Sequence, residues 1–234
     1  MKTQLDHLVV VATTLEQGVV WCQDTLGITP SAGGEHPQYG THNRLFKIAT
    51  PAFPMAYFEI IAINPAAANT RQPARRWFDM DDARLQSGIS GSPRLVHFVV
   101  NTDDMQTACA ALTEQGIDRG QVLRASRSSS KGSLEWQITV REDGQRLFDG
   151  ALPSLIQWGG AGDVDPLRLH PRNQLPRSGV SLRSLQITHP SAAQLQDAYG
   201  CLGLGAIALQ VGPANLTAHL QTPRGLVVLQ SMGL

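Results

Sequence analysis

Leu5-Asp6-His7-Leu8-Val9-Val10-Val11 is an apolar, strand-like stretch with a histidine third from its leucine, and it decides the fold because it recurs. Arg94-Leu95-Val96-His97-Phe98-Val99-Val100 repeats the pattern, with Leu95 lying 90 residues beyond Leu5. A third stretch, Leu182-Arg183-Ser184-Leu185-Gln186-Ile187, begins 87 residues after Leu95. A nearly constant spacing of this kind indicates three copies of one structural unit.

Each of these stretches is followed by the same series of local signals. A short polar turn leads into an amphipathic helix with apolar residues three and four apart, and a glycine ends it. The predicted N-caps are Thr14, Asp104 and Ser191, and the closing glycines are Gly27, Gly116 and Gly203. Three strand-like stretches then complete each unit: 29–32, 44–49 and 57–63; 122–126, 134–141 and 153–158; 206–211, 216–221 and 226–230. Every unit therefore reads βαβββ.

The repeat predicts an α+β fold in which the first two units pair into one cupped mixed sheet around a cleft. Residues 1–160 form this paired domain: unit one is 1–64, an insertion is 65–93, and unit two is 94–160. A linker at 161–179 leads to a third, degenerate unit at 180–234. Within the insertion, residues 73–78 resemble a short helix that covers the cleft, and a packing loop or dimer contact is the alternative.

Composition limits the classes of function. The 234 residues carry 19 Lys and Arg against 19 Asp and Glu, so there is no basic excess for nucleic acid or anionic lipid. The longest apolar runs are far shorter than the roughly 20 residues of a membrane span. The chain opens without a leader-like segment, and its three cysteines form no CxxC pair, which favours a cytoplasmic protein with reduced thiols. We expect a small-molecule substrate as its partner, with a homodimer as the alternative way of pairing units.

Two histidines and one glutamate form the predicted metal site. His7 and His97 occupy the same position in two related strands, and Glu59 lies in the otherwise apolar stretch 57–63. A carboxylate in such a run is costly unless it is paired or bound to metal. Two imidazoles and a carboxylate brought together by the repeat would hold a divalent ion and leave positions open for substrate. Each residue taken alone is more often a hydrogen-bonded core residue.

The third unit is expected to have a structural role, and three histidines outside the paired units are expected to have surface or structural roles. Ser184 stands where the other units have His7 and His97, and a serine is a poor ligand for such an ion. The site is therefore expected between units one and two. His170, His189 and His219 fall outside the paired units, and we expect surface or structural roles for them.

The polar, glycine-rich stretch 33–43 predicts a binding loop. Gly40 allows close approach of backbone to a ligand, and Thr41 and Asn43 offer hydrogen-bonding groups. His36 is the candidate general base, because the unperturbed pKa of histidine lies near neutrality. A turn held by its own side chains is the structural alternative.

Three further residues are candidates for substrate contact. Trp136 and Trp158 are expected to form an aromatic wall, although a tryptophan in a strand is more often core. Arg127 precedes a flexible, serine-rich stretch and could clamp a carboxylate or phosphate group.

These motifs resemble the vicinal-oxygen-chelate superfamily, and within it the glyoxalase-like domain group. The resemblance rests on residues 5–9, 33–43, 57–59, 132–136 and 153–158. It implies a divalent metal (Zn, Fe, Mn or Ni) on the inner sheet face, chelated by two vicinal oxygens of a substrate. Many members carry a fourth ligand, usually Glu, on the last strand of the second unit. Here Ser154-Leu155-Ile156-Gln157-Trp158 has neither carboxylate nor histidine, which argues against a four-ligand site.

The resemblance and the residues together predict a glyoxalase-like, metal-dependent enzyme acting on a small oxygen-rich metabolite as a lyase, isomerase or dioxygenase. The alternative is a non-catalytic binder of the bleomycin-resistance type that works without metal. A third hypothesis is a decayed enzyme whose cleft is filled by side chains.

Overall fold

The structure is a computed structural model that describes residues 1–67, 75–129, 132–160 and 163–234. Unit one contains β1 (Thr3–Val11), α1 (Leu15–Leu26), β2 (Ser31–His36), β3 (Thr41–Lys47) and β4 (Tyr57–Ile63). The insertion contains α2 (Ala83–Ile89). Unit two contains β5 (Arg94–Thr102), α3 (Met105–Glu114), β6 (Gln121–Ser129), β7 (Gly132–Val140) and β8 (Ser154–Trp158). The short helix α4 (Pro171–Gln174) precedes β9 (Ser181–His189), α5 (Ala192–Leu202), β10 (Ala208–Val211), β11 (Asn215–Thr222) and β12 (Gly225–Gln230).

The predicted order of elements is confirmed in all three units, and most helix ends follow the predicted caps. The Thr14 hydroxyl accepts a hydrogen bond from the backbone N–H of Gln17, and α1 ends at Gly27 in the left-handed conformation. Asp104 caps α3 in the same way. Ser191 stands at the N-cap of α5 but makes no capping side-chain hydrogen bond.

Units one and two share one eight-stranded sheet, with strand order β2-β3-β4-β1-β5-β8-β7-β6. The two units join through the antiparallel pair β1–β5, while β1–β4 and β5–β8 are parallel. The sheet curls until its two edge strands meet: a Cβ added to Gly34 on β2 would lie 2.5 Å from Nη1 of Arg127 on β6. The predicted cupped sheet is therefore nearly closed around its cleft.

Each face of this sheet has its own apolar core. Leu8, Val10 and Phe98 belong to the core under the helices, which continues into the third unit. Val9 and Val99 belong to the core on the cleft face. Both faces of the central strands are thus buried, as their almost uninterrupted apolar sequences require.

The third unit has the same order of elements but a different sheet. Its four strands are in the order β10-β9-β11-β12. The first strand of this unit, β9, pairs in parallel with the second, β10. In units one and two the first strand, β1 or β5, pairs in parallel with the last strand of its unit. It packs on the helix side of the large sheet, where the Tyr199 hydroxyl donates to the backbone carbonyl of Ala151 at 2.5 Å. The third unit therefore supports the helix layer and does not extend the cleft.

The insertion covers the cleft, but not with the predicted helix. Residues 73 and 74 lie outside the described residues, and residues 75–78 are not helical. Trp77 and Phe78 are nevertheless buried in the cleft-side core, with Phe78 and Asp79 in left-handed backbone conformations. The rings of Trp77 and Phe78, held by an irregular turn, cover the cleft.

Among the described residues, every helix is too short or too polar to span a bilayer.

Candidate functional site

A β-bulge places two neighbouring polar side chains on the cleft face of β1. Leu5 and Leu8 both belong to the helix-side core, although strict alternation would put them on opposite faces. The pairing of β1 with β5 skips Asp6, between Leu5 and His7, and this extra residue restores the pattern. Asp6 and His7 therefore point to the same side of the sheet.

Asp6 is completely buried and accepts four hydrogen bonds. Its donors are His7 Nδ1 at 2.7 Å, Trp158 Nε1 at 2.8 Å, His170 Nε2 at 2.9 Å and Asn101 Nδ2 at 3.0 Å. Burial alone would raise the pKa of Asp6, but the charge and hydrogen bonds of His170 and His7 outweigh it and hold the pKa far below its usual range. Asp6 is therefore a fixed buried anion.

This anion orients the ring of His7. Because the carboxylate of Asp6 accepts from Nδ1, the proton of a neutral His7 ring lies on Nδ1 and Nε2 carries the free lone pair. Nε2 lies 3.6 Å from Oε2 of Glu59, and Tyr57 stacks on the ring with centroids 4.5 Å apart. His7 thus presents a basic nitrogen into the cleft, supported from behind by a carboxylate.

Glu59 is buried beside His7, and its charged form is disfavoured. Burial raises its pKa, against the opposing effects of His7 and of the hydrogen bond from Asn43. Asn43 Nδ2 donates to Glu59 Oε1 at 2.6 Å, and Asn43 Oδ1 accepts from the backbone N–H of Gly34 at 2.7 Å. A side chain at Gly33 would overlap Asn43, so the glycines of the loop are needed for this close approach.

These groups surround a cavity of about 50 Å³, which holds only a few water-sized molecules. Its polar lining comes from His7, His36, Asn43, Glu59 and Arg127. Its apolar lining includes Tyr57, Trp77, Phe78, Trp136 and Trp158. Trp136 and Trp158 also line a second, larger cavity of about 660 Å³.

Four of the predicted substrate-binding residues line the small cavity, and two do not. Asn43, Arg127, Trp136 and Trp158 line it. Thr41 is buried and hydrogen-bonds Nδ1 of His36 at 3.1 Å, while Gly40 ends a short 3₁₀ turn in a left-handed conformation. Gly40 and Thr41 therefore shape the loop and do not contact the cavity.

His36 also lines the cavity, but its environment does not suit the predicted role of general base. Burial, with the positive charge of Arg127 as a smaller cause, lowers the pKa of His36 to about 3. A base this weak binds no proton at neutral pH. This lowered pKa argues against His36 as a general base, and the geometry makes it a hydrogen-bonding partner of Thr41.

His97 does not join His7 and Glu59, so the predicted set of three metal ligands needs correction. Its Nδ1 lies 3.1 Å from the carbonyl oxygen of Gly150, and its Nε2 accepts from the backbone N–H of Ser154 at 3.1 Å. Phe78 packs against the ring at 5.3 Å, so that His97 and His7 line different cavities. Both ring nitrogens are engaged in the core, which leaves neither for a metal.

The donor set does not fit the metal centre that the resemblance implied. Within the described part of the chain, no three His, Cys, Asp or Glu side chains are grouped so that they could hold a metal ion. His7 and Glu59 alone supply two ligands, one fewer than the three protein ligands of catalytic zinc sites. The position of the missing acid in unit two is filled by Ser154, whose hydroxyl lies 3.1 Å from His97 Nε2.

Two residues of the site were missed by sequence reasoning. Asp6 carries a detectable signal, because two polar residues in succession within an apolar strand indicate a bulge. For His170 the sequence predicts a surface or structural role; the residue is fully buried at the N-cap of α4, where it contacts Asp6. The linker around it has no periodicity that would have placed it there.

The paired βαβββ units and the curled sheet define the architecture that the resemblance anticipated, that of the vicinal-oxygen-chelate superfamily. A family model described as a glyoxalase-like domain matches residues 5–203, and the chain belongs to this family. The comparison with curated proteins found no match.

The chain was also compared with solved structures. A hypothetical protein from Staphylococcus aureus matches with a TM-score of 0.58 and 15% identity, covering 97% of this chain and 85% of that chain. A mutant 4-hydroxymandelate synthase from Streptomyces coelicolor matches with a TM-score of 0.49 and 11% identity, covering 98% of this chain and 62% of that chain. A methylmalonyl-CoA epimerase variant from Streptomyces coelicolor matches with a TM-score of 0.41 and 17% identity, over 67% and 98%. At such identities the first match supports the fold alone.

Proposed function

We propose that this protein is an enzyme that moves a proton on a small, oxygen-rich carboxylate, with His7 as the base. The observation that carries the proposal is the contact between Asp6 and His7, in which a buried carboxylate fixes the ring so that Nε2 faces the cavity. A carboxylate behind a histidine orients the imidazole and stabilises the cation that forms when it accepts a proton.

In the proposed step, His7 Nε2 accepts a proton from a substrate carbon next to a carbonyl group. The carbon–hydrogen bond breaks, a nitrogen–hydrogen bond forms, and the electron pair moves onto the carbonyl oxygen. Burial raises the pKa of Glu59, which favours its protonated form. Because Glu59 also lies beside Nε2, it can return a proton to the substrate. An isomerase or a lyase would use this step.

Arg127 supports a carboxylate-bearing substrate. It lines the cavity, and the ion pairs found among the described residues do not include it. A guanidinium near the base suits bidentate contact with a carboxylate. The buried indole N–H of Trp77, which has no acceptor in the described ranges, is a second donor at the same cavity.

The size of the small cavity implies that a substrate also uses the larger one. About 50 Å³ accommodates the reacting group at most, whereas ligand pockets are usually several hundred Å³. Trp136 and Trp158 line both cavities, so we place the remainder of the substrate in the space of about 660 Å³.

Proton exchange with solvent tests the proposal without knowledge of the full reaction. The protein is incubated in D₂O with 2-oxobutyrate or 2-oxoglutarate, and loss of the proton on the carbon next to the keto group is followed by NMR. We expect exchange with at least one of them that His7→Gln lowers and the remote His219→Gln leaves unchanged. Exchange that is equal in wild type and His7→Gln would contradict the assignment of the base.

Chelator treatment in the same assay tests the metal-dependent enzyme predicted from the sequence. Because His97 is engaged elsewhere, we expect exchange to survive treatment with EDTA. Exchange abolished by EDTA and restored by Zn²⁺, Mn²⁺, Fe²⁺ or Ni²⁺ would favour the metal-dependent enzyme instead.

Binding without turnover is the second candidate, and the aromatic lining of the cavity favours it. Trp77, Trp136 and Trp158 provide stacking surfaces that need no chemistry at His7. A ligand whose affinity is lowered by Trp136→Ala but not by His7→Gln would support this alternative.

A further inference from the structure

Unit two contains a buried arginine that lacks a full set of partners. Arg119 is only 5% exposed and donates from Nη2 to the hydroxyl of Ser154 at 2.8 Å. Its Nε and Nη1 have no hydrogen-bond acceptor among the residues that the structure describes. A buried cation with open donors is costly, so this arrangement requires explanation.

Two carboxylates near Arg119 form ion pairs with other arginines. Asp79 pairs with Arg146 at 2.9 Å, and Asp143 pairs with Arg141 at 2.6 Å. No carboxylate in the described part of the chain lies within ion-pair distance of Arg119. The described residues therefore give the Arg119 guanidinium no ion-pair partner.

The neighbouring polar groups supply no negative charge either. Nε2 of His97 accepts from the backbone N–H of Ser154, so the ring proton lies on Nδ1 and is directed to the carbonyl of Gly150. The Ser154 hydroxyl accepts from Arg119 and can donate in turn to His97 Nε2. This chain of hydrogen bonds runs away from Arg119 and ends on a backbone oxygen.

Arg119, His97 and Ser154 line a cavity of about 10 Å³, which admits a single small ion or water molecule. The space is too small for a carboxylate or a phosphate. We propose that it holds a single monatomic anion of the charge and size of chloride, bound by the open donors of Arg119. The site is separate from the His7 cavity and does not depend on the proposed function.

Bromide in crystals of the wild-type protein gives the direct test. With bromide replacing chloride, we expect an anomalous peak at about 3.5 Å or less from the nitrogens of Arg119. A map with no bromide peak there, and with water or a carboxylate against the guanidinium instead, would overturn the proposal.

Thermal unfolding gives an independent test in solution. Chloride is raised at constant ionic strength by replacing gluconate, which is too large for the cavity. We expect the unfolding midpoint to rise by about 3 to 6 °C once chloride exceeds its dissociation constant roughly tenfold. Arg119→Met should remove this rise, whereas Arg183→Met, at an exposed arginine, should retain it. An equal rise in wild type and Arg119→Met would contradict the site, and the bromide experiment keeps the proposal testable if Arg119→Met does not fold.

Discussion

Unit one and unit two place different chemistry on the same backbone. Glu59 pairs with Val9, two residues beyond His7, and Ser154 pairs with Val99, two residues beyond His97. Glu59 and Ser154 therefore occupy equivalent places. The two units contain similar strand pairs, β1–β4 and β5–β8, but only the pair in unit one carries acidic side chains.

The two histidines differ in what holds them. The pairing of β1 with β5 skips the residue before each histidine, which is Asp6 in unit one and Val96 in unit two. The bulge thus gives His7 a carboxylate neighbour, whereas His97 turns to the backbone oxygen of Gly150. A repeated position predicts a repeated direction of the side chain, but not a repeated role.

The largest expected effect is on activity in unit one. His7→Gln removes the basic Nε2 while preserving a polar side chain, and general bases contribute about 10²- to 10⁴-fold to rate. We expect the proton-exchange rate to fall by that factor. Circular dichroism of the same sample controls for folding, and a folded His7→Gln variant with the wild-type rate would refute the assignment.

The next largest effect is on stability, and replacing His97 in unit two should cost more unfolding free energy than replacing His7 in unit one. His97→Ala leaves the Gly150 carbonyl and the Ser154 N–H unpaired in the core, which we expect to cost about 3 kcal/mol of unfolding free energy. His7→Ala should cost less, about 1 kcal/mol, because Asp6 keeps three other donors. Urea denaturation measures both, and the reverse order would contradict the contrast between the units.

Acid should destabilise the protein through two histidines, the partly buried His36 and the buried His97, that the folded state holds neutral. Burial lowers the pKa of His36 to about 3 and that of His97 well below its usual value, so the unfolded chain binds more protons below about pH 6.5. Stability is therefore expected to fall as pH drops from 6.5 toward 3, by about 1.4 kcal/mol per pH unit for each fully shifted histidine.

The matched variant for the acid effect is His36→Gln. Urea denaturation at several pH values should show a shallower loss for this variant than for wild type. Equal slopes in the two proteins would show that His36 is not held neutral in the folded state.

The smallest expected effect is that of Glu59→Gln, which should change stability and proton exchange in opposite directions. Burial raises the pKa of Glu59, so the folded state holds its proton more tightly and a penalty for ionisation grows as pH rises above about 4.5. Glu59→Gln removes this penalty and retains an acceptor for Asn43. We expect Glu59→Gln to be more stable than wild type at pH 8, with reduced proton exchange.

Glu35→Gln, at an exposed acid on β2, is the control for Glu59→Gln and should change stability by less than about 0.5 kcal/mol. A clear loss of stability in Glu59→Gln at pH 8 would mean that the folded state favours the ionised carboxylate.

The sequence predicted the fold well because the fold follows from local periodicity. The predicted strand 57–63 matches β4 at both ends, and the N-caps at Thr14 and Asp104 are observed. The sheet order of the third unit was not predictable, because strand pairing is set by long-range packing and not by the order of elements.

The site was predicted only in part. The contact between His7 and Glu59 follows from the parallel pairing of β1 with β4, and the sequence indicated both residues. The role of His97 depends on Gly150 and Phe78, which come from loops that no repeat specifies. His170 reaches Asp6 from 164 residues away, and a single sequence carries no signal for such a contact.

The central claim is that His7 carries the chemistry and His97 carries structure, and one paired measurement tests it. Proton exchange is recorded for His7→Gln and His97→Gln, with each rate divided by the folded fraction from urea denaturation. We predict that the rate per folded molecule falls about 10²-fold or more in His7→Gln and stays within about twofold of wild type in His97→Gln. Equal losses per folded molecule in the two variants would contradict the account and would support the predicted site in which both histidines take part.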